Sequence, residues 1–194
     1  AINTGAGGTI YIPDGTYMID PSVGIDIPSN TTIIFAPNAI LKNMAHNLRH
    51  YEIIRIHDKE NVTLVNPQVD GNRSANSATD GEWGMGISIR GSKNIKIYNP
   101  VCKNCWGDGI YIGATATLAY CENVRIFDAL CDNNRRQGIS IISGKQIYLV
   151  RPKLVNTNGT SPQAGLDIEP NQDNEILDGI FVLDPYTEGN AGGG

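Results

Sequence analysis

The chain has 194 residues, 40% of them hydrophobic and 18% charged, with a formal net charge of −5. That apolar content supports a folded core and argues against disorder. The acidic balance and the lack of a basic run argue against nucleic acid as a partner, and no apolar run is long enough for membrane insertion. The 22 glycines and 10 prolines interrupt the chain too often for long helices.

The opening Ala1-Ile2-Asn3 reads as the tail of a preceding helix. The chain is therefore expected to be a fragment cut at both ends. Downstream, a short apolar–x–apolar motif recurs, often closed by proline. It reads Thr31-Thr32-Ile33-Ile34 up to Pro37, Asn61-Val62-Thr63-Leu64 up to Pro67, and Asn94-Ile95-Lys96-Ile97 up to Pro100. It continues as Asn123-Val124-Arg125-Ile126, Gln146-Ile147-Tyr148-Leu149 and Gly179-Ile180-Phe181-Val182. A second register lies between these: Ile54-Arg55-Ile56-His57, Ile87-Ser88-Ile89-Arg90, Ile110-Tyr111-Ile112-Gly113, Ile139-Ser140-Ile141-Ile142 and Leu166-Asp167-Ile168-Glu169. Gly86, Gly109, Gly138 and Gly165 directly precede four of them.

Alternation at period two puts Ile and Leu inward and the residues between them outward. A fixed motif with variable spacing implies stacked coils whose loops differ in length. The expectation is an all-β parallel β-helix, one solenoid domain over residues 1–194 with about six coils. Val69, Cys102, Cys131, Leu154 and Thr187 should form one inward row. Cys102 and Cys131 are then stacked core thiols, because cysteine behaves as a small hydrophobe. Cys102-Lys103-Asn104-Cys105 lacks the second half that a zinc site needs.

Gly7-Gly8-Thr9-Ile10-Tyr11-Ile12-Pro13-Asp14-Gly15-Thr16-Tyr17 resembles the opening strand of the pectate-lyase-like, right-handed parallel β-helix superfamily. That resemblance implies the fold over Gly7 to the end. It also implies polysaccharide as partner, as in pectate lyases, polygalacturonases, alginate epimerases and phage tailspikes. Trp106-Gly107-Asp108-Gly109-Ile110 is similar to the polygalacturonase segment whose Asp is catalytic. The paired Asp of the next coil is replaced here by Arg136 and Gln137, and the Gly-His-Gly by Gln163-Ala164-Gly165. Asp70-Gly71-Asn72-Arg73 and Asp80-Gly81-Glu82-Trp83 look like mannuronan epimerases. Their Asp-Pro-His-Glu is replaced by Tyr111-Ile112-Gly113-Ala114.

Stacking turns the sequence into an outward face. One row runs Arg55, Ser88, Tyr111, Ser140, Asp167; the next runs His57, Arg90, Gly113, Ile142, Glu169. Trp83, Trp106 and Arg135 sit in the turn before them. Aromatic faces pack on sugar rings and arginines pair with carboxylates, so Trp83, Trp106, Tyr111, Arg90 and Arg135 are the candidate substrate-binding residues. Asp167 and Glu169 share a strand face, their Cα atoms roughly 6.7 Å apart. They suit acid–base hydrolysis, or Ca²⁺ binding in a lyase with Arg136 as base or charge clamp. Asp108 is the further catalytic candidate. His46, His50 and His57 read as a polar loop face. The expected function is an extracellular or virion-surface glycoside hydrolase or polysaccharide lyase. The alternative is a non-catalytic glycan-binding or structural segment. The tailspike resemblance implies a homotrimer.

Overall fold

A computed structural model describes residues 7–192. The reading of Ala1-Ile2-Asn3 lies outside them, as do Gly193 and Gly194. The chain winds as a solenoid of three parallel sheets. Sheet A stacks Gly8–Ile12, Thr31–Phe35, Glu60–Val65, Lys93–Tyr98, Cys121–Phe127, Gly144–Val150 and Leu177–Leu183. Sheet B stacks Gly15–Ile19, Ala39–Asn43, Gln68–Asp70, Val101–Lys103, Leu130–Asp132, Lys153–Val155 and Tyr186–Glu188. Sheet C has six strands: Ile25–Asp26, His50–His57, Trp83–Arg90, Asp108–Gly113, Gln137–Ile141 and Ala164–Ile168. A 3-10 turn at Arg73–Ala75 is the only helical element among the described residues.

The core is a set of like-on-like ladders. Ile95 pairs with Val62 and Val124, and Ile97 with Leu64 and Ile126, all fully buried. Burying each such side chain stabilises the fold by about 1.5–3 kcal/mol. Cys102 pairs with Val69 and Cys131, and Leu154 follows and then Thr187, as the sequence implied. All four cysteines are free and buried.

In one place the register differs from the sequence reading. Thr32 faces Thr63 and Ile33 faces Leu64, so the first sheet-A motif starts at Asn30 rather than Thr31. Thr31 takes the inward place and is buried. The anchor is conformational: Asn30, Asn61, Asn94 and Asn123 all hold left-handed backbone, φ 59°, 57°, 56° and 52°. Asparagine tolerates that region better than other side chains bearing a Cβ. Their amides link the coils: Asn61 donates to Asn30 at 2.9 Å, Asn94 to Asn61 at 3.2 Å and Asn123 to Asn94 at 2.9 Å. Asn94→Ala loses both amide bonds and strains the backbone, and should cost about 2 kcal/mol in urea unfolding. Asn94→Gly relieves the strain and should cost about half as much. Equal costs would contradict the conformational account.

Sheet C departs from simple alternation. A Cβ added at Gly109 would point into the core, 2.7 Å from the Gly138 carbonyl oxygen and 2.9 Å from Cys131 Sγ. One at Gly86 would lie 2.6 Å from the Gly109 carbonyl oxygen. Ile87 and Ile110, the next residues, are also core residues. Two consecutive positions thus face inward, and the residue before each glycine is turned to the outer face. This step brings Glu52, Met85, Asp108 and Gln137 into one outward row, with Glu52 paired to Met85 and Asp108 to Gln137.

Candidate functional site

The outer face of sheet C carries two polar clusters. In the first, Ser140 Oγ donates to Asp108 Oδ2 at 2.9 Å and Arg136 Nη1 to the same oxygen at 3.1 Å. Arg136 Nε also lies 3.5 Å from Glu82 Oε2, so this guanidinium bridges two carboxylates. Gln137 Nε2 donates to Asp167 Oδ2 at 2.8 Å. Asp108 is 0% exposed. Its burial pushes the carboxyl up to about 6, and Asp167 adds to this, while Arg136 and Ser140 pull it back.

This has a stability consequence. The folded pKa lies above the unfolded value, so the native state holds a proton that the unfolded chain releases. Asp108 therefore favours folding at low pH and loses that contribution as pH rises from about 4 through about 6. The loss is about 3 kcal/mol, complete above the folded pKa. Asp108→Asn should remove this slope. Urea unfolding of both proteins across that window checks it: parallel pH profiles would refute the assignment.

The second cluster joins Ser88, His57 and Arg90 of the expected outward rows to Glu52, which was not anticipated. Ser88 Oγ donates to Glu52 Oε1 at 2.8 Å and lies 3.0 Å from His57 Nε2. Arg90 Nε pairs with Glu52 Oε1 at 3.1 Å, and His57 Nε2 lies 3.4 Å from Glu52 Oε2. Burial holds the His57 pKa below its usual value, against the attraction of Glu52. His57 is thus part of the sheet face, not of a polar loop.

The other sequence candidates divide by exposure. Trp83 is 50% exposed, with its ring 6.2 Å from that of His50. Trp106 is 8% exposed: its Nε1 donates to the Asp80 carbonyl at 3.1 Å, and the Arg135 guanidinium lies 4.3 Å from its ring centroid. The expected Trp83–Trp106 pair of open aromatic faces is therefore corrected to one open ring. Arg135 also donates to the Gly81 carbonyl. Tyr111 is 7% exposed, covered by Arg90 at 4.1 Å and packed with Met85 and Ile142. Its expected open place is corrected too: long neighbours close over this row. Asp108 likewise lies beneath Arg136 rather than on the open surface. Asp167 is half-buried and Glu169 exposed, adjacent to the Ser140 strand.

The donor set does not fit Ca²⁺. The ion takes six to eight oxygens. One Asp167 oxygen already accepts from Gln137, and no third His, Cys, Asp or Glu among the described residues joins a metal-type cluster.

A family model described as "Right handed beta helix region" matches residues 14–181. An uncharacterized Bacillus subtilis protein, YclG, is 30% identical over 83% of this chain and 32% of its own length. The chain thus spans about a third of that relative. The N-terminal fragment of bacteriophage Phi29 gene product 12 superposes with a TM-score of 0.75 at 23% identity, covering 96% of this chain and 33% of that one. Tailspike gp49 of the Acinetobacter baumannii bacteriophage Fri1, a capsular polysaccharide depolymerase, gives 0.67 at 12% identity, covering 97% and 36%. At these identities the superpositions show a shared fold.

Proposed function

Because the chain belongs to the right-handed β-helix family, we propose that it processes a polysaccharide along the outer face of sheet C, outside the cell or on a virion. The observation that carries this is Asp167 near the end of the strand Ala164–Ile168, with Glu169 just beyond it, beside a guanidinium that bridges Asp108 and Glu82. Glu169 N–H still bonds the Ile141 carbonyl at 3.2 Å, and in extended chain residues two apart have Cα atoms roughly 6.7 Å apart, a spacing that suits acid–base hydrolysis. Trp83 lies three coils away, roughly 14 Å along the axis, where a bound chain of several sugars would reach. Arg136 is ion-paired to two carboxylates, which suits a charge clamp rather than a base, so hydrolysis is favoured over elimination.

In this reading, one carboxyl protonates the leaving oxygen and its partner acts on the opposite side, as base on water or as nucleophile. Asp108 is a positioning residue that holds Arg136 and Ser140. A second reading, glycan binding without cleavage, is favoured by the full burial of Asp108 and the closure over Tyr111. Reducing-end release against the appearance of an unsaturated product separates hydrolase, lyase and binder. A homotrimer is part of the proposal and is checked by sedimentation of the full-length protein.

A further inference from the structure

A separate cleft of about 450 Å³ opens beside sheet B, where Arg73 meets the edge of the coil turns. Its lining is polar throughout. Asn158 donates to Asn133 at 3.2 Å, Asn133 to Asn104 at 2.8 Å, and Asn104 to Asp70 at 3.1 Å. Lys42 closes the chain on Asp70 at 3.1 Å. This head-to-tail order fixes each amide and leaves Asn104 and Asn133 one free N–H and one oxygen lone pair apiece. Donor and acceptor side by side, repeated once per coil, match a chain of hydroxyls.

The charge balance is uneven. Asp70 is answered by Lys42, but no carboxylate lies within ion-pair reach of Arg73 or Arg135 among the described residues. Among the described residues the side-chain acceptor of Arg73 is the Asn158 amide oxygen, at 3.3 and 3.4 Å. Arg135 flanks it across Gly159, and burial together with that like charge holds the Arg73 pKa below its usual value. A half-buried guanidinium with a weak acceptor and a cationic neighbour has no charge partner, and an anion in the cleft would supply one.

We propose that this cleft binds an anionic, hydroxyl-rich chain, with Arg73 gripping the acidic group and the Asn104–Asn133 amides meeting the hydroxyls. The site stands whether or not sheet C cleaves a glycan. The acidic group is a carboxylate, as in uronate chains, or a phosphate, as in polyol phosphates.

Titration calorimetry at low salt tests this with three probes: a glucuronate-containing oligosaccharide, a glycerol-phosphate oligomer and a neutral gluco-oligosaccharide. At least one charged probe should bind, and which one identifies the acidic group. The neutral probe should bind at least about tenfold more weakly, and added salt should weaken the charged complex. Arg73→Gln should weaken binding about tenfold or more, and Arg73→Lys should restore part of it. Arg125→Gln, the loss of an exposed cation on sheet A, should leave affinity unchanged, which separates the cleft from a general loss of positive charge. Failure of both charged probes, equal affinity for the neutral one, or an Arg73→Gln protein that melts and binds as the parent does would overturn the proposal.

Discussion

Asp167→Asn and Glu169→Gln should each lower polysaccharide cleavage by about 10²–10⁴-fold, the usual size of a general acid–base contribution. The amides preserve shape and lose proton transfer and charge. Asp167 keeps an oxygen for the Gln137 amide, and Glu169 is exposed, so neither change should shift stability beyond about 0.5 kcal/mol. Turnover and melting temperature should therefore separate. Retained activity in both variants would return the pair to ordinary surface and leave Asp108 with Arg136 as the remaining candidates.

Gly109→Val should destabilise the fold by about 3 kcal/mol or more, at the upper end of overpacking costs. Its Cβ would meet Asn134 Nδ2 at 2.6 Å, the Gly138 carbonyl oxygen at 2.7 Å and Cys131 Sγ at 2.9 Å. The carbonyl is backbone of the neighbouring strand Gln137–Ile141, which gives way less readily than a side-chain tip. The test bears on more than packing. If position 109 faced solvent, as strict alternation from the inward Ile110 would imply, valine there would be tolerated. A near-neutral effect in urea unfolding would contradict the inward step that lifts Asp108 and Glu52 to the outer face.

That step is also where sequence reasoning stopped. The ladders of Ile, Val and Cys were legible because burial imposes period two on each strand. The five outward pairs beginning with Arg55, Ser88, Tyr111, Ser140 and Asp167 followed from the same rule. Glu52 was not legible: nothing in His50-Tyr51-Glu52-Ile53 announces that Ile53 and Ile54 both turn inward. The glycines before Ile87, Ile110 and Ile139 were the available signal, since a residue without a Cβ marks close approach of backbone. Thr31 was misplaced because matching letters hid the left-handed Asn30 as the true anchor. Trp106 and Tyr111 were placed in the right rows, but their burial depends on Arg135 and Arg90 folding over them, which spacing alone does not encode.

Polysaccharide cleavage on the sheet-C face, as proposed, can be assayed directly. The most direct test is to incubate the full-length protein, and the same protein carrying both Asp167→Asn and Glu169→Gln, with a panel of bacterial capsular polysaccharides and pectins, then follow chain length and new reducing ends. The account predicts that at least one substrate is shortened by the parent, with one new reducing end per cut and no unsaturated product, and is left intact by the double variant. Equal shortening by both proteins, or no shortening of any substrate by the parent, would contradict it.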